Sequence, residues 1–217
     1  KNYLRCVKGV DESIDRLQKQ LVKLGLAENT IVIYSSDQGF YIGDHGWYDK
    51  RWMYDESMKM PLIVKWPGVV KPGSREMRMV QNLDYAQTFL DIAGAPQPDD
   101  MQGLSLVPLL KAENPKEWRK EIYYHYYEYP SVHMIPRHYG IRTKRYKLMH
   151  FYQFGDEWEL YDLKTDPDEL SNLYGKKEVL DLQEKLKLRL KRIRKAYDDQ
   201  SDVSIRPDYI EQYRRKS

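Results

Sequence analysis

The spacing of apolar and polar positions predicts a helix followed by a strand at the start of the chain. Eight apolar residues recur at steps of three and four between positions 3 and 24, which places them on one face of a helix. Gly25 is placed to end this helix, because glycine accepts the left-handed conformation found at helix C-termini. The continuous apolar run at residues 31–34 is typical of a strand that is buried on both faces.

The next part of the chain continues the alternation of strand and helix. Residues 61–66 predict a second strand, and residues 81–93 predict a second amphipathic helix. A helix leading into a buried strand is half of an α/β unit, so the fold class is α/β. The Asn-Pro pair at 114–115 marks a boundary, which divides the chain into a domain at 1–114 and a subdomain at 115–217.

The subdomain has a different pattern, with short runs of β-forming residues. These runs predict a small antiparallel sheet of four strands. They are residues 122–127, 139–143, 146–152 and 159–163. Leucines at helical spacing between 173 and 196 predict a long helix after the sheet. The polar residues 201–217 predict an extended tail.

The loop after the first strand contains the first candidate site. Asp37 and Gln38 follow that strand directly, where open α/β sheets bind their ligands, and we expect Gly39 to let the backbone turn away sharply. A carboxylate and a carboxamide oxygen suit Ca²⁺ or Mg²⁺ better than zinc. From these residues alone, the alternative is that Asp37 only caps the turn.

Composition restricts the partners. The net charge of +3 and the pI near 8.7 are mild and suit an anionic substrate. The basic residues between 185 and 195 alternate with leucines at helical spacing, which favours a solvated helix face over a nucleic-acid site. No segment reaches the ~18–20 apolar residues of a membrane span, and no signal peptide is recognisable. We therefore expect neither a nucleic-acid partner nor a transmembrane segment.

Residues 35–68 have the sequence SSDQGFYIGDHGWYDKRWMYDESMKMPLIVKWPG. This sequence resembles a known segment of the type I sulfatases, in the alkaline phosphatase superfamily. The resemblance continues more loosely through GLSLVPLL and ELYDLKTDPDELSNL. It implies the carboxyl-terminal part of a sulfatase-like mixed-sheet domain, followed by a small four-stranded antiparallel sheet with a long helix.

The resemblance also assigns roles to residues of the loop. It implies that Asp37 and Gln38 bind calcium, with magnesium possible, and that His45 and Lys50 contact the sulfate. Asp49 and Arg51 flank the lysine and are within reach of substrate hydroxyls. Each assignment has an ordinary alternative: a packing histidine, a solvated lysine, and an Asp–Arg surface pair.

The implied activity is hydrolysis of sulfate esters, with a sulfated sugar as substrate and N-acetylglucosamine-6-sulfatases as the nearest kind. A periplasmic or secreted location is implied as well. These enzymes act through a formylglycine made from Cys or Ser in a C/S-x-P-S/A-R context, which Cys6 lacks. We expect Cys6 to be a half-buried helix residue instead. We therefore expect that the chain is a fragment, inactive alone, whose partner is the formylglycine-bearing N-terminal part of the same enzyme.

A second group of candidate residues lies between two predicted strands of the subdomain. His133, Arg137 and His138 accompany a cluster of tyrosines, and such side chains stack on sugar rings or donate to hydroxyls and sulfates. The alternative is that they pack a half-buried sheet. For the whole protein, the rival functions are a phosphodiesterase or phosphatase of the same superfamily and a non-catalytic binding module. The former usually has Asp-His where this chain has Asp37 and Gln38, which speaks against it.

Overall fold

The computed structural model describes residues 1–199. They form two compact units, each of which is described by itself. The first unit comprises residues 1–36 and 61–116, and the second comprises residues 37–60 and the chain from 117 onward. A domain boundary after residue 114 stays a prediction. The predicted tail at 201–217 lies outside the described residues.

The regular elements follow the chain in the predicted alternation. The helices are α1 (Asn2–Lys23), α2 (Asp55–Met58), α3 (Asp84–Ile92), α4 (Val107–Leu110) and α5 (Leu180–Ala196). The strands are β1 (Val32–Ser35), β2 (Tyr41–Ile42), β3 (Tyr48–Asp49), β4 (Leu62–Lys65), β5 (Glu121–Tyr126), β6 (His138–Thr143), β7 (Tyr146–Phe151) and β8 (Glu157–Asp162). None of the helices in this part of the chain is long and apolar enough to cross a membrane.

In the first unit, β1 and β4 form a two-stranded antiparallel sheet. The expected burial of β1 on both faces is wrong, because Tyr34 is 38% exposed and the strand has no fully buried residue. Cys6 is exposed rather than half-buried, which corrects the second expectation for this unit. Within the described residues α1 buries none of its side chains, so its apolar stripe is exposed together with Cys6.

Asp84 organises the remainder of the first unit. Its side chain is fully buried, and its two oxygens accept hydrogen bonds from the backbone N–H groups of Gln81 and Leu104, at 2.7 and 2.8 Å. The carboxylate therefore joins the segment before α3 to the segment that leads to α4, and its charge lies in the first turn of α3, where the helix dipole favours an anion. This is a structural role.

In the second unit, the four predicted strands form one antiparallel sheet in the order β5-β6-β7-β8. The long helix after the sheet is present, but it begins at Leu180 rather than at residue 173. The backbone N–H of Leu173 instead donates to the carbonyl of Leu160, at 2.8 Å. This bond holds the chain along β8, and a 3₁₀ turn at Lys177–Val179 then leads into α5.

The two faces of this sheet have different partners. On one side, which we call the helix face, a leucine-rich core packs with α5; its buried members are Tyr139, Ile141, Leu148, Leu160, Leu186 and Leu190. On the other side, which we call the loop face, residues 37–60 supply half of the core. Its buried members are Tyr41, Met53, Tyr54, Met149, Phe151 and Tyr161. The loop that contains the predicted site residues is therefore held against a rigid sheet.

Candidate active site

Gly39 fixes the start of the loop by allowing a close approach of two backbones. Its N–H donates to the carbonyl of Ser57 at 2.7 Å, and an added Cβ would lie 1.9 Å from the carbonyl oxygen of Glu56. Its φ lies outside the left-handed region. The expectation that Gly39 supplies a sharp turn is therefore wrong. Glycine is needed here because a side chain would clash with the backbone of α2.

Three predicted site residues adopt backbone conformations that side chains disfavour. The φ angles of His45, Asp49 and Arg51 are 53°, 85° and 95°. Each such residue costs about 1–3 kcal/mol and persists only where its surroundings hold it. At Arg51 the surroundings are visible: its N–H donates to Ser57 Oγ at 3.0 Å, and its carbonyl accepts from the Tyr124 hydroxyl at 2.6 Å. Strained positions of this kind cluster at functional sites.

His45 is held by stacking and by a carboxylate. Its ring lies on that of Tyr54, with centroids 4.3 Å apart and planes 14° from parallel. Its Nε2 lies 3.4 Å from Glu56 Oε2, and its side chain is 11% exposed. The ring therefore has a fixed orientation, with its Nε2 beside a carboxylate. Lys50, by contrast, is partly exposed and forms no ion pair with the described residues.

The structure brings three of the predicted substrate-binding residues together. Asp49 and Arg51 form an ion pair, and His133 Nδ1 lies 3.4 Å from Asp49 Oδ2. His133 comes from the turn before β6, so two separate segments meet at this carboxylate. The Asp–Arg pair predicted as the ordinary alternative is thus present. It joins a partly exposed group of donors and acceptors that suits a sugar hydroxyl.

Arg137 and His138 are positioned differently from the expectation. His138 is fully buried among the rings of Trp52, Tyr126 and Phe151, and its Nδ1 lies 2.8 Å from the Pro136 carbonyl oxygen. Burial lowers the pKa of His138 to about 4. The expectation that His138 contacts substrate is therefore wrong, because its position on β6 directs it into the loop-face core.

Arg137 braces the turn that precedes β6. Its Nη2 donates to the Tyr129 carbonyl at 2.6 Å, and the side chain is only partly exposed. A contact between its guanidinium and substrate stays a prediction.

Asp37 and Gln38 provide the right oxygen chemistry for a hard cation. Asp37 is exposed and Gln38 is half-buried. The described residues contain no group of three or more His, Cys, Asp or Glu side chains that could hold a metal ion. A calcium shell needs ~6–8 oxygens, so these two residues fit such an ion as a partial set of ligands.

A buried charge network, which the sequence reasoning missed, anchors the loop to the sheet. Lys147 Nζ lies 2.8 Å from both Asp55 Oδ1 and Glu169 Oε1, and all three side chains are almost fully buried. Arg142 donates to both oxygens of Asp55 at 2.9 Å, and Glu169 accepts from the Asp55 N–H at 2.7 Å. The only signal in the sequence is a lysine at an inward position of an apolar strand.

The network sets the charge of its two acids. Burial raises the pKa of Asp55, but the hydrogen bonds from Arg142 and the charge of Lys147 outweigh it and hold that pKa well below its usual range. For Glu169 burial prevails, so its pKa is raised. Asp55 is therefore the firmly ionised partner at the start of α2, directly after the loop.

The chain matches a known protein family over most of its length. Residues 43–196, well over half of the chain, match the family model described as N-sulphoglucosamine sulphohydrolase, C-terminal. The chain belongs to this sulfatase family. The matched segment contains the strained loop, the charge network, the four-stranded sheet and α5.

Individual relatives agree with the family. The chain is 51% identical over 201 residues to an N-acetylglucosamine-6-O-sulfatase of Bacteroides thetaiotaomicron, covering 92% of this chain and 36% of that protein. It is 33% identical over 180 residues to an arylsulfatase of Clostridium perfringens, covering 81% and 36%. A solved protein in complex with its substrate D-glucosamine-2-N,6-O-disulfate superposes with a TM-score of 0.88 at 50% identity, over 92% of this chain and 41% of that one. The predicted sulfatase relationship and α/β fold are confirmed.

The chain spans little more than a third of the length of these two curated relatives. Sulfatase family membership implies a metal ion and a formylglycine in the amino-terminal part of such enzymes. The activity of the whole protein is therefore a matter of proposal.

Proposed function

We propose that the chain is the carboxyl-terminal part of a sulfatase that removes sulfate from a sugar, of the N-acetylglucosamine-6-sulfatase kind. The observation that supports this best is the strained loop, because His45, Asp49 and Arg51 all occupy left-handed conformations held against a sheet. A solved relative with a sulfated glucosamine substrate supports the class of substrate. A periplasmic or secreted location, testable by cell fractionation, is part of the proposal.

Lys50 and His45 contact the sulfate in this proposal. A lysine is a compact cation with three donors, and it stabilises the charge that develops on sulfate oxygens in the transition state. His45 has a ring fixed by stacking on Tyr54, and in this proposal it donates to the sulfate or to the departing alcohol. The contacts that hold the strained loop keep these groups in place before substrate arrives.

Asp49, Arg51 and His133 orient the sugar. Asp49 accepts hydrogen bonds from hydroxyls, whereas Arg51 donates, and His133 adds a further polar contact from the other segment. Arg137 is a further substrate contact in this proposal, through the guanidinium donors that are not bonded to the Tyr129 carbonyl. These contacts would select the sugar and leave the chemistry of the ester unchanged.

Asp37 and Gln38 would supply part of the calcium shell, with magnesium as the alternative ion. When bound, the ion neutralises charge on the sulfate oxygens, and a formylglycine in the amino-terminal part supplies the nucleophile. Gln38 argues against the rival phosphatase or phosphodiesterase, since a carboxamide oxygen is a weak ligand for the transition metals that such enzymes prefer.

Steady-state kinetics of the full-length protein test the roles of the loop. Lys50→Ala is expected to lower kcat/KM by ~10²–10³-fold on both a 6-sulfated N-acetylglucosamine and an aryl sulfate, because a charge-stabilising donor is lost. Asp49→Ala and Arg51→Ala are expected to damage only the reaction of the sugar. The exposed Lys144→Ala serves as a control without effect. If Lys50→Ala spares the aryl sulfate while Asp49→Ala abolishes its hydrolysis, the assigned roles are reversed.

Two further measurements test the metal site and the division of the protein. Calorimetry should show that Asp37→Ala loses calcium binding, whereas the exposed Asp99→Ala keeps it. Gln38→His should shift the preference toward transition metals. The 217-residue chain alone should not hydrolyse aryl sulfates; turnover by it would contradict the proposal that the nucleophile lies elsewhere, and an inactive full-length protein would favour the binding module.

A further inference from the structure

A cleft lies in the second unit, on the loop face of the sheet. Its volume is about 260 Å³. Loop residues form one wall, and the end of β7, the following turn and β8 form the other. The residues that matter for its chemistry are Trp47, Trp52, Tyr54, Phe154, Glu157 and Glu159. None of them is among the residues assigned above to sulfate, metal or sugar hydroxyls.

The aromatic lining suits one sugar ring. The rings of Trp47 and Trp52 lie 5.2 Å apart and are tilted by 32°. Trp47 is 44% exposed and Phe154 is 67% exposed, so flat apolar surface is open to solvent on both sides of the cleft. Aromatic faces pack against the C–H faces of sugars, whose hydroxyls point outward. The volume is below the ~300–1,000 Å³ of pockets for larger ligands, which limits the occupant to about one ring.

The charges in the cleft restrict which sugar fits. Glu159 accepts hydrogen bonds from the hydroxyls of Tyr54 and Tyr161 at 2.8 and 2.9 Å, both through Oε2. No hydrogen bond within the described residues uses its Oε1, and Glu157 is exposed. Every charged residue that lines the cleft is acidic. A uronate or a sulfated sugar would meet like charges here, whereas hydroxyls or an amine would find acceptors.

The cleft is next to the proposed sulfate site. Tyr54, which lines the cleft, stacks on His45 with its ring centroid 4.3 Å away, while its hydroxyl bonds Glu159. Trp47 lies two positions from both His45 and Asp49 in the sequence. One aromatic residue, Tyr54, thus contacts both the proposed sulfate site and the cleft.

We propose that this cleft binds the sugar attached to the sulfated one, and that it selects a neutral or amine-bearing ring over a uronate. The inference rests on the proposed function, which it extends from a single sulfated sugar to an oligosaccharide. The full-length protein would accordingly discriminate between glycans by the residue beside the sulfated sugar.

The test compares three substrates of the full-length protein: 6-sulfated N-acetylglucosamine alone, the same sugar linked to a neutral hexose, and the same sugar linked to a hexuronate. Trp47→Ala is expected to raise the KM of the neutral disaccharide about tenfold, with kcat and the monosaccharide little changed. Trp118, a partly buried tryptophan outside the cleft, provides the control variant Trp118→Ala.

A charge variant tests the selectivity. Glu157→Gln is expected to reduce the preference for the neutral over the uronate disaccharide by about threefold, because an exposed charge has a modest effect. Glu178→Gln, at an exposed position outside the cleft, should leave the preference unchanged. Equal effects of Trp47→Ala on the monosaccharide and the disaccharide would overturn the proposal, as would a wild-type protein without preference.

A binding measurement separates this inference from the proposed function. If the wild-type protein hydrolyses none of the three substrates, the proposed function is wrong. Saturation-transfer NMR with the methyl glycoside of a neutral hexose then tests sugar binding by the cleft independently of hydrolysis. A signal that Trp47→Ala removes and Trp118→Ala retains supports the cleft; no signal, or a signal that both variants retain, overturns it.

Discussion

The two faces of the carboxyl-terminal sheet are held by different kinds of interaction. On the helix face, leucines such as Leu186 and Leu190 pack against Leu148 and Leu160. On the loop face, the core is interrupted by the buried charge network of Lys147 and by its acids. The contrast indicates that one face supplies general stability, while the other fixes the geometry of one particular segment.

Energetics support this division. Taking charges out of water is costly, and well-packed apolar residues of similar volume are often as stabilising as a buried ion pair. Stability alone therefore gives no reason for burying Lys147. The network instead fixes direction, because Asp55 is bonded through both its carboxylate and its N–H. Asp55 begins α2 four positions after Arg51, the last strained residue of the loop, so its position determines where that loop ends.

The largest predicted effect is the loss of the buried cation. Lys147→Met should lower the free energy of unfolding by ~3–5 kcal/mol, because Asp55 and Glu169 would be left buried without it. Urea unfolding followed by circular dichroism measures the change. Lys187→Met is the matched control: this lysine lies over the Trp158 ring at 4.7 Å, on the helix face, and its loss should cost at most ~1 kcal/mol.

An outcome within ~1 kcal/mol for Lys147→Met would show that the two acids tolerate the loss, and the contrast between the faces would then be wrong. A double variant sharpens the test. Glu169→Gln added to Lys147→Met removes one of the stranded charges, and it should restore part of the lost stability.

On the helix face the expected loss is similar in size but different in consequence. Leu186→Ala should destabilise the protein by ~2–5 kcal/mol, because it leaves a cavity in the core. Activity of the folded protein should be unchanged, since no loop residue packs there. Leu188→Ala, at an exposed position of the same helix, should change stability by less than ~0.5 kcal/mol. A large fall in kcat for Leu186→Ala would mean that the helix face also positions the site.

The same contrast explains what could be predicted from the sequence. The helix face follows from local pattern: short runs of β-forming residues predicted the four strands, and leucines at helical spacing predicted the helix, although its start was placed seven residues early. The contacts of the loop face could not be predicted from sequence pattern. Alternation identifies Lys147 as inward-facing but cannot name its partners, which lie 92 and 22 positions away in the chain.

The candidate site was predicted through the resemblance of the loop rather than through pattern. Its residue types were recognisable, and so was the pairing of Asp49 with Arg51 as an alternative. The prediction for His138 was wrong because the sequence does not show whether a histidine at the start of a strand faces solvent or the core. The left-handed backbone at Arg51 has no sequence signal, since arginine is not among the residue types that favour a positive φ.

A third prediction concerns the pH dependence of stability, which His138 in the loop-face core should dominate between pH 6.5 and 4. The pKa of His138 is lowered from 6.5 to about 4, so its contribution to stability is complete above pH 6.5 and is lost as the pH falls toward 4. The loss should reach roughly 3 kcal/mol. His138→Phe should flatten this slope, as measured by thermal unfolding between pH 7.5 and 4, whereas His133→Phe, at a partly exposed position, should keep it.

The lowered pKa of Asp55 acts at lower pH, because an ordinary aspartate titrates near 4. Its contribution is present above that value and is lost as the pH falls further. The two groups are therefore separable in one titration. A slope between pH 6.5 and 4 that survives in His138→Phe would assign the acid sensitivity to a different group.

The smallest predicted effect isolates the strain of the loop. Arg51→Ala and Arg51→Gly both remove the ion pair with Asp49, so they differ only in their tolerance of a φ of 95°. The glycine variant should be more stable by about 1 kcal/mol, as measured by urea unfolding. At the exposed helical residue Lys191 the order should reverse, with alanine more stable than glycine by ~0.5–1 kcal/mol. The same order at both positions would mean that the backbone of Arg51 is unstrained, and that its conformation is then no sign of a prepared site.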